Sequence, residues 1–327
     1  MSFLSLSDVY RARQRIAGRT CVTPLVASAA LSAALSARAG VPVHLKLETL
    51  QPTGSFKIRG ATNVLAELAA QRVTRVVTAS TGNHGRAVAH AARALGLEAA
   101  VCMSSLVPAN KVDAVAALGA RVVIVGDSQD DAQAEARRLA RDEGYAYVPP
   151  FDDPRIIAGQ ATIGVEILEA LPDAGTLIVP LSGGGLFSGV AFAAKAIRPS
   201  IAVIGVSMAR GAAMHASLAA GRPVDVEEQP TLADSLGGGI GLDNRYTFDL
   251  TRALADDVVL LDERSIARGI AHAYREERLV VEGAGAVGIA ALLDEAVPRS
   301  RRDGPIVVVV SGANIDMAAH RRLIAEN

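Results

Sequence analysis

The stretch Thr176-Leu-Ile-Val-Pro-Leu-Ser-Gly-Gly-Gly-Leu-Phe-Ser188 decides the fold, because an apolar strand pattern runs into a glycine run and then a helical pattern. Glycines let backbone N–H groups approach a ligand closely, and a helix start adds the positive end of its dipole. The turn therefore predicts an anion site, best suited to phosphate, with a purely structural tight turn as the alternative. Ser188 replaces the last glycine of GxGxxG, and Ser207 replaces the acidic residue that would hold a ribose, so a nicotinamide cofactor is disfavoured.

The same alternation of β-branched runs with Ala/Leu-rich segments of helical period extends along the chain. It predicts an α/β fold built on largely parallel sheets. The strand-like runs are 43–47, 75–79, 98–103, 121–125, 176–180, 201–206, 257–261 and 306–310. The helical segments are 83–95, 109–118, 128–142, 157–171, 186–197 and 265–277. Because open α/β sheets bind ligands at the carboxyl ends of their strands, we expect the chemistry there.

Composition narrows the class of protein. The 327 residues are 50% hydrophobic and 20% charged, with a net charge of -1, which excludes a disordered chain and disfavours a basic nucleic-acid binder. No apolar run reaches the ~18 residues of a membrane span. The first residues have no basic segment typical of a secretory signal, and Cys21 and Cys102 are too few for a disulfide framework. We therefore expect a cytoplasmic protein with no nucleic-acid or membrane partner.

The chain has only four lysines, at 46, 57, 111 and 195, so any chemistry that needs an amine has few candidates. The stretch Pro52-Thr-Gly-Ser-Phe-Lys-Ile-Arg-Gly60 is expected to open a helix, with Ser55 as its cap and Lys57 in the first turn. A cation there opposes the helix dipole. This position favours the neutral amine that imine formation with a carbonyl cofactor and proton abstraction require. The alternative is an ordinary surface lysine.

Further motifs follow other strands. Ser80-Thr-Gly-Asn-His-Gly85 offers hydroxyls, an amide and free N–H groups suited to a carboxylate, although a capping turn would look similar. Ser311-Gly-Ala-Asn314 places a hydroxyl after a strand apolar enough to be buried on both faces. Leu236-Gly-Gly-Gly-Ile-Gly241 is either a flexible backbone surface or a structural turn, and Glu282 either starts a helix or faces the crevice. Neither HExxH nor GxSxG occurs, which disfavours a zinc centre and a hydrolase serine.

A phosphate site, a lysine at a helix start, a loop for a carboxylate and a hydroxyl at a strand end together suit a cofactor with a phosphate and an aldehyde. That cofactor is pyridoxal phosphate. The segments 55–60, 80–84, 183–185 and 311–314 resemble, in order and spacing, those of the fold-type-II threonine/serine dehydratases. The resemblance covers about residues 6–317. It implies a two-lobed fold like that of tryptophan synthase β, with a large cofactor-binding domain of 1–74 and 151–327, an inserted small domain of 75–150, and a homodimer.

The resemblance also implies roles for single residues. Lys57 would bind the cofactor covalently and later move the α-proton of the substrate. The other cofactor contacts would come from Phe56 on the ring, Asn83 at the phenolic oxygen, Ser311 at the pyridine nitrogen, and Gly183, Gly184, Gly185 and Leu186 at the phosphate. The substrate carboxylate would lie among Ser80, Thr81, Gly82 and His84, with Arg86 as an added cation nearby. The sequence pattern alone favours a packed or orienting role for His84.

Departures from the family pattern narrow the activity. Serine racemases of this family have a serine where this chain has Thr81, so racemisation is disfavoured. Metal-dependent relatives carry carboxylates where this chain reads Ser207-Met-Ala-Arg-Gly-Ala-Ala213, so no metal is expected. The sequences of segments 207–214 and 234–242 are most similar to those of the dehydratases of hydroxyectoine utilisation. We therefore expect water to be eliminated from a β-hydroxy α-amino acid derived from hydroxyectoine. L-Threonine or L-serine is the alternative substrate, ahead of a racemase or a non-catalytic binding protein.

Overall fold

The computed structural model describes residues 3–36, 41–80, 82–107, 109–298 and 304–326, and within them the chain alternates strands and helices. The strands are β1 Leu25–Ser28, β2 Val43–Leu47, β3 Arg75–Ala79, β4 Glu98–Met103, β5 Arg121–Ile124, β6 Ala146–Tyr147, β7 Thr176–Pro180, β8 Ala202–Met208, β9 Asp257–Leu261 and β10 Ile306–Val310. The helices are α1 Leu6–Ile16, α2 Ala29–Ser36, α3 Lys57–Ala70, α4 Asn83–Leu95, α5 Ala109–Ala116, α6 Gln129–Glu143, α7 Pro154–Ala170, α8 Gly185–Ile197, α9 Ala213–Ala220, α10 Thr247–Leu254, α11 Glu263–Arg275, α12 Gly283–Leu293 and α13 Met317–Glu326.

The chain divides into two compact units. The first comprises 1–21, 51–53 and 57–160, and the second comprises 22–50, 54–56 and 161–327. The second unit therefore covers most of the predicted large domain. The first unit takes in residues 57–74 as well as the predicted small domain of 75–150, because α3 packs along α4. The assignment of one domain to the cofactor and the other to an insertion stays a prediction.

The second unit is built on a six-stranded sheet in the order β1-β2-β10-β7-β8-β9. β10 reads as a continuous apolar run because helices cover both faces of the sheet. Val308 and Val310 pack in the same core as α12, whereas Val307 and Val309 pack in the core of α8. All pairs are parallel except β1 with β2, so the expectation of a largely parallel sheet is confirmed.

The first unit is built on a parallel four-stranded sheet in the order β5-β4-β3-β6. Alternate residues again face opposite layers: Val76 and Val101 pack with α3 and α4, and Val77 and Ala100 pack with α6. Short Ala side chains on α4 and α6 allow this close layering. The mixed α/β class is therefore confirmed in both units.

Three local expectations differ from the structure. The predicted strand 201–206 extends to Met208, so Ser207 lies inside β8, paired with Leu260, instead of following the strand. The antiparallel edge strand β1 was not predicted, because four residues carry too little pattern. Ser55 is fully buried and its Oγ has no hydrogen-bond partner, so the predicted cap of α3 is wrong. Among the described residues, no helix is long and apolar enough to cross a membrane.

Candidate active site

The glycine run forms the turn between β7 and α8, and Gly183–Leu186 is named here the glycine loop. All four of its residues are buried, and Gly184 is the N-cap of α8 with a left-handed φ of 89°. A β-carbon on Gly184 would lie 2.9 Å from Thr247 Cβ and 2.9 Å from Met214 Cε, so the turn tolerates only glycine there. The cap has no side-chain hydrogen bond. The first N–H groups of α8 are therefore available to an anion.

The sheet of the second unit brings Ser311 to the same edge as the glycine loop. β10 and β7 are parallel neighbours with Val308 opposite Ile178, so the loops that leave their carboxyl ends start side by side. Ser311 follows β10 directly and is 2% exposed. Its Oγ makes a long hydrogen bond of 3.4 Å to Ala284 O, which leaves it able to take a better partner.

Residues 54–56 form a short antiparallel pairing with the loop after β10. Phe56 N donates to Ser311 O at 3.0 Å, and Ala313 N donates to Gly54 O at 2.9 Å. Ser55 and Gly312 form the bridge between these bonds. The two cofactor contacts predicted at Phe56 and Ser311, which lie far apart in sequence, are therefore neighbours in the second unit.

Glu282 holds the same loop from the other side. It is the N-cap residue of α12 and 4% exposed, but its carboxylate does not cap that helix. Its Oε2 accepts from Asn314 N at 3.0 Å, and its own N–H donates to Gly312 O at 3.1 Å. A β-carbon on Gly312 would lie 2.6 Å from Glu282 Oε1. Glu282 thus fixes the backbone that presents Ser311.

In the first unit, the loop after β3 leads into α4. Ser80 is half-buried, and its Oγ accepts from Gly82 N at 3.3 Å. Gly82 is the N-cap of α4 without a side-chain cap bond, and Asn83 is buried in the first turn. Arg86 is half-buried on the same turn. Thr81 lies outside the described residues.

Lys57 is the first residue of α3, as predicted, and is half-buried. Its Nζ donates to Pro150 O at 2.9 Å. This carbonyl belongs to the segment after β6, which is the parallel neighbour of β3 in the same sheet. The loop that carries Ser80 and the segment that holds Lys57 therefore leave the same edge of the sheet of the first unit.

His84 lies in the second position of α4 and is 3% exposed. Its Nε2 is 3.1 Å from Val148 O, and because a carbonyl only accepts, Nε2 carries the hydrogen. Thr78 Oγ1 donates to the same carbonyl at 2.8 Å. Burial, together with the positive charge of Lys57, lowers the pKa of His84 to about 3, so this imidazole is neutral near pH 7. The geometry favours the orienting role among the alternatives for this residue.

The family is shown by comparison with known proteins. Residues 16–312 match the model of the family described as pyridoxal-phosphate dependent enzyme. The chain belongs to the pyridoxal-phosphate dependent enzymes. The predicted cofactor is thereby confirmed.

Several relatives of this enzyme span nearly its whole length. A Sinorhizobium fredii protein named provisionally as a threonine dehydratase is 56% identical over 99% of this chain and 96% of its own. The L-threonine ammonia-lyase of Thermotoga maritima is 40% identical over 98% of this chain and 78% of its own. The catabolic L-threonine dehydratase of Escherichia coli K12 is 38% identical over 96% of this chain and 94% of its own.

Solved structures agree on the fold. Maize serine racemase superposes with a TM-score of 0.91 and 33% identity, covering 99% of this chain and 97% of its own. The processed form of threonine deaminase isoform 2 from Solanum lycopersicum gives a TM-score of 0.88 and 36% identity, covering 98% and 91%. These similarities confirm the predicted fold type.

The described residues of this pyridoxal-phosphate enzyme fit its cofactor. The glycine loop offers uncapped N–H groups to a phosphate, and Lys57 offers an amine to an aldehyde. Ser55 adds a buried hydroxyl without a hydrogen-bond partner, next to Phe56 and Gly312. Such a polar atom is costly unless a further group binds it. The glycine loop and Ser55 belong to the second unit, and Lys57 belongs to the first.

Two groups at the site escaped the sequence analysis. Val148 O and Pro150 O hold His84 and Lys57, but they are backbone atoms, which residue type does not reveal. The Pro149-Pro150 pair was the available signal, because consecutive prolines rigidify the backbone that presents these carbonyls.

A metal site was not expected, and the described part of the chain contains no group of three or more His, Cys, Asp or Glu side chains arranged to hold an ion. Ser207, where the resemblance predicts the first carboxylate of a metal-dependent enzyme, is buried in β8, and its hydroxyl contacts Met208 Sδ. Metal independence remains a prediction for the assay described below.

Proposed function

We propose that this enzyme is a dehydratase, or ammonia-lyase, that eliminates water from a β-hydroxy α-amino acid. The product of elimination would rearrange and hydrolyse to a 2-oxo acid and ammonia. The observation that carries the proposal is Lys57 at the start of α3, with its amine held by Pro150 O, in a chain whose near full-length relatives are named threonine dehydratases. L-Threonine is the substrate that these names favour, and L-serine, a smaller β-hydroxy α-amino acid, is proposed beside it.

The roles proposed for the site follow from the chemistry of each group. The cofactor supplies the electron withdrawal that makes the α-hydrogen acidic. Lys57 would bind the cofactor and take the α-proton, and Pro150 O is placed to accept a hydrogen bond from the amine once it is protonated. The neutral His84, with its Nε2 engaged by Val148 O, would orient the anion loop without competing for that proton.

The remaining roles are those that the resemblance assigns. The glycine loop would hold the phosphate, Phe56 the ring, Asn83 the phenolic oxygen and Ser311 the pyridine nitrogen. The uncapped start of α4 would receive the substrate carboxylate through Ser80, Thr81 and Gly82, with Arg86 adding positive charge. Free N–H groups at a helix start suit a carboxylate as they suit a phosphate.

A hydroxyectoine-derived hydroxy-diamino acid is the second candidate substrate. It is supported by two segments whose sequences resemble those of the hydroxyectoine dehydratases, Ser207-Met-Ala-Arg-Gly-Ala-Ala-Met214 and Asp234-Ser-Leu-Gly-Gly-Gly-Ile-Gly-Leu242. None of the relatives reported above carries that substrate in its name. A homodimer in the cytoplasm is the setting we propose, and light scattering of the purified protein tests the oligomeric state.

The test is a panel of substrates read by release of ammonia and 2-oxo acid. L-Threonine, L-serine and the hydroxy-diamino acid are compared for wild type, Lys57→Ala and Lys111→Ala, the last removing a lysine of α5 far along the chain. We expect turnover in wild type and in Lys111→Ala. Lys57→Ala should lose both the absorbance of the covalently bound cofactor and the activity. Full activity in Lys57→Ala would overturn the assignment, and cofactor binding without turnover of any panel member would overturn the reaction.

A further inference from the structure

The glycine run that ends in Gly241 is not accounted for by the proposed reaction, and the structure shows what its end does. Ile240 is 2% exposed and packs in the core that contains Leu186, which anchors this end of the run. A β-carbon on Gly238, in contrast, would meet nothing within 4 Å, and one on Gly239 would meet only Gly241 N, at 4.0 Å. The run therefore leads from an open stretch into a fixed turn.

The side-chain amide of Asn244 holds that turn through both its N–H donors and its oxygen. Its Nδ2 donates to Ile240 O at 3.0 Å and to Thr247 Oγ1 at 2.8 Å. Its Oδ1 accepts from Phe248 N at 2.9 Å, one of the N–H groups at the start of α10. Its own N–H donates to Gly241 O at 3.2 Å. A single amide thus sets both the end of the glycine run and the start of α10.

The start of α10 is the wall behind the glycine loop. Thr247 and Thr251 are fully buried, and a β-carbon on Gly184 would lie 2.9 Å from Thr247 Cβ and 3.1 Å from Thr251 Oγ1. Ser188 in the first turn of α8 completes the contact, because its Oγ donates to Thr247 O at 3.3 Å and lies 3.3 Å from Thr251 Oγ1. The left-handed turn at Gly184 is therefore supported by α10.

We propose that Asn244 is a positioning residue for the phosphate of the cofactor: it fixes Thr247, and Thr247 fixes Gly184. The proposal rests on the assignment of the glycine loop to the phosphate. Asn244 needs no contact with the cofactor for this role. It orients the N–H groups of the loop before the phosphate binds. Residues that orient binding groups in this indirect way commonly change affinity by about 10- to 100-fold in metal sites.

The role makes a distinctive prediction, because it concerns the phosphate and leaves the amine of Lys57 untouched. Pyridoxal has the same aldehyde as pyridoxal phosphate but no phosphate. Loss of Asn244 should weaken binding of pyridoxal phosphate and leave binding of pyridoxal unchanged. A general loss of stability would weaken both alike.

The experiment measures the affinity of the full-length apoprotein for pyridoxal phosphate and for pyridoxal by absorbance titration, without substrate. We expect Asn244→Ala to weaken pyridoxal phosphate by about tenfold, at the low end of such effects, with pyridoxal within twofold of wild type. Asn244→Asp keeps the acceptor for Phe248 N, so its affinity for pyridoxal phosphate should lie between those of wild type and Asn244→Ala. It replaces Asn244→Ala in the test if that variant does not fold. The matched control is Asp262→Ala, which removes a helix cap from α11, and it should leave the ratio of affinities unchanged.

Two outcomes contradict the proposal: equal weakening of both compounds in the Asn244 variants, or no weakening of either. Gly184→Ala separates this failure from failure of the loop assignment. If Gly184→Ala selectively weakens pyridoxal phosphate while the Asn244 variants do not, the loop assignment stands and the positioning role is refuted. If Gly184→Ala also leaves the ratio unchanged, the phosphate binds elsewhere. None of these readouts depends on which amino acid the enzyme consumes.

Discussion

Because the imidazole of His84 is buried and neutral, the free energy of unfolding of this enzyme falls at acidic pH. The pKa of the histidine is about 3 in the folded chain and 6.5 in the unfolded chain. Between these values the unfolded state binds a proton that the folded state excludes, so acidification favours unfolding. The stabilisation is therefore fully present above pH 6.5 and falls by about 1.4 kcal/mol for each pH unit below it. At about pH 5 the loss from this residue alone is about 2 kcal/mol.

The assay is urea denaturation of wild type and His84→Gln at about pH 7.5 and about pH 5. Glutamine places an amide nitrogen near the position of Nε2, so it can still donate to Val148 O, and it does not titrate. Other titrating groups contribute to both proteins and cancel in the comparison. We expect the free energy of unfolding to fall by about 2 kcal/mol less for His84→Gln than for wild type. Equal falls in the two proteins would refute the buried neutral state of His84.

Three further predictions concern packing, charge and metal. Gly159→Ala should lower the free energy of unfolding by about 2 kcal/mol, because its β-carbon would lie 2.6 Å from Gly60 Cα. The control is Gly239→Ala, whose β-carbon would meet only Gly241 N, at 4.0 Å. Equal stabilities would contradict the close contact of α3 with α7. Lys46→Met should lower the free energy of unfolding by about 3–5 kcal/mol, because it leaves Glu166 buried without the amine that now lies 2.6 Å away. The double variant Lys46→Met with Glu166→Leu should regain most of that stability, and urea denaturation of both variants checks this. Chelator treatment should leave ammonia release intact, and a loss restored by magnesium would show ligands outside the expected position.

Six strands were predictable because a short and mostly apolar run is the sequence pattern of a buried strand. β2, β3, β4, β7, β9 and β10 have the predicted bounds, and in each of them most residues are apolar. Helix bounds shifted by a few residues where caps decide them. Helix α7 begins at Pro154 instead of 157, because Asp153 accepts from Arg155 N and proline suits the first helical position.

The site was predictable where a side chain carries the chemistry and was missed where the backbone does. Lys57, the glycine loop and Ser311 lie where helix starts and strand ends place them. The carbonyl of Pro150 has no signature in residue type. Lys46 falls within the predicted strand 43–47, but it is 1% exposed and forms an ion pair with Glu166. The strand pattern does not indicate this pair because the partner is distant in sequence. Asn244 escaped for the same reason, since its role depends on where α10 packs.

The position of β10 in its sheet has a consequence during synthesis on the ribosome. The four strands of the first unit come from one continuous part of the chain, so that sheet can form as soon as residue 147 has emerged. The other sheet lacks its centre until residues 306–310 emerge, because β10 lies between β2 and β7. Until then β2 and β7 present unpaired apolar edges, which are open to mispairing with other chains. Chaperones should therefore stay bound longer to a nascent chain that is stalled before residue 306 than to the full-length chain after its release.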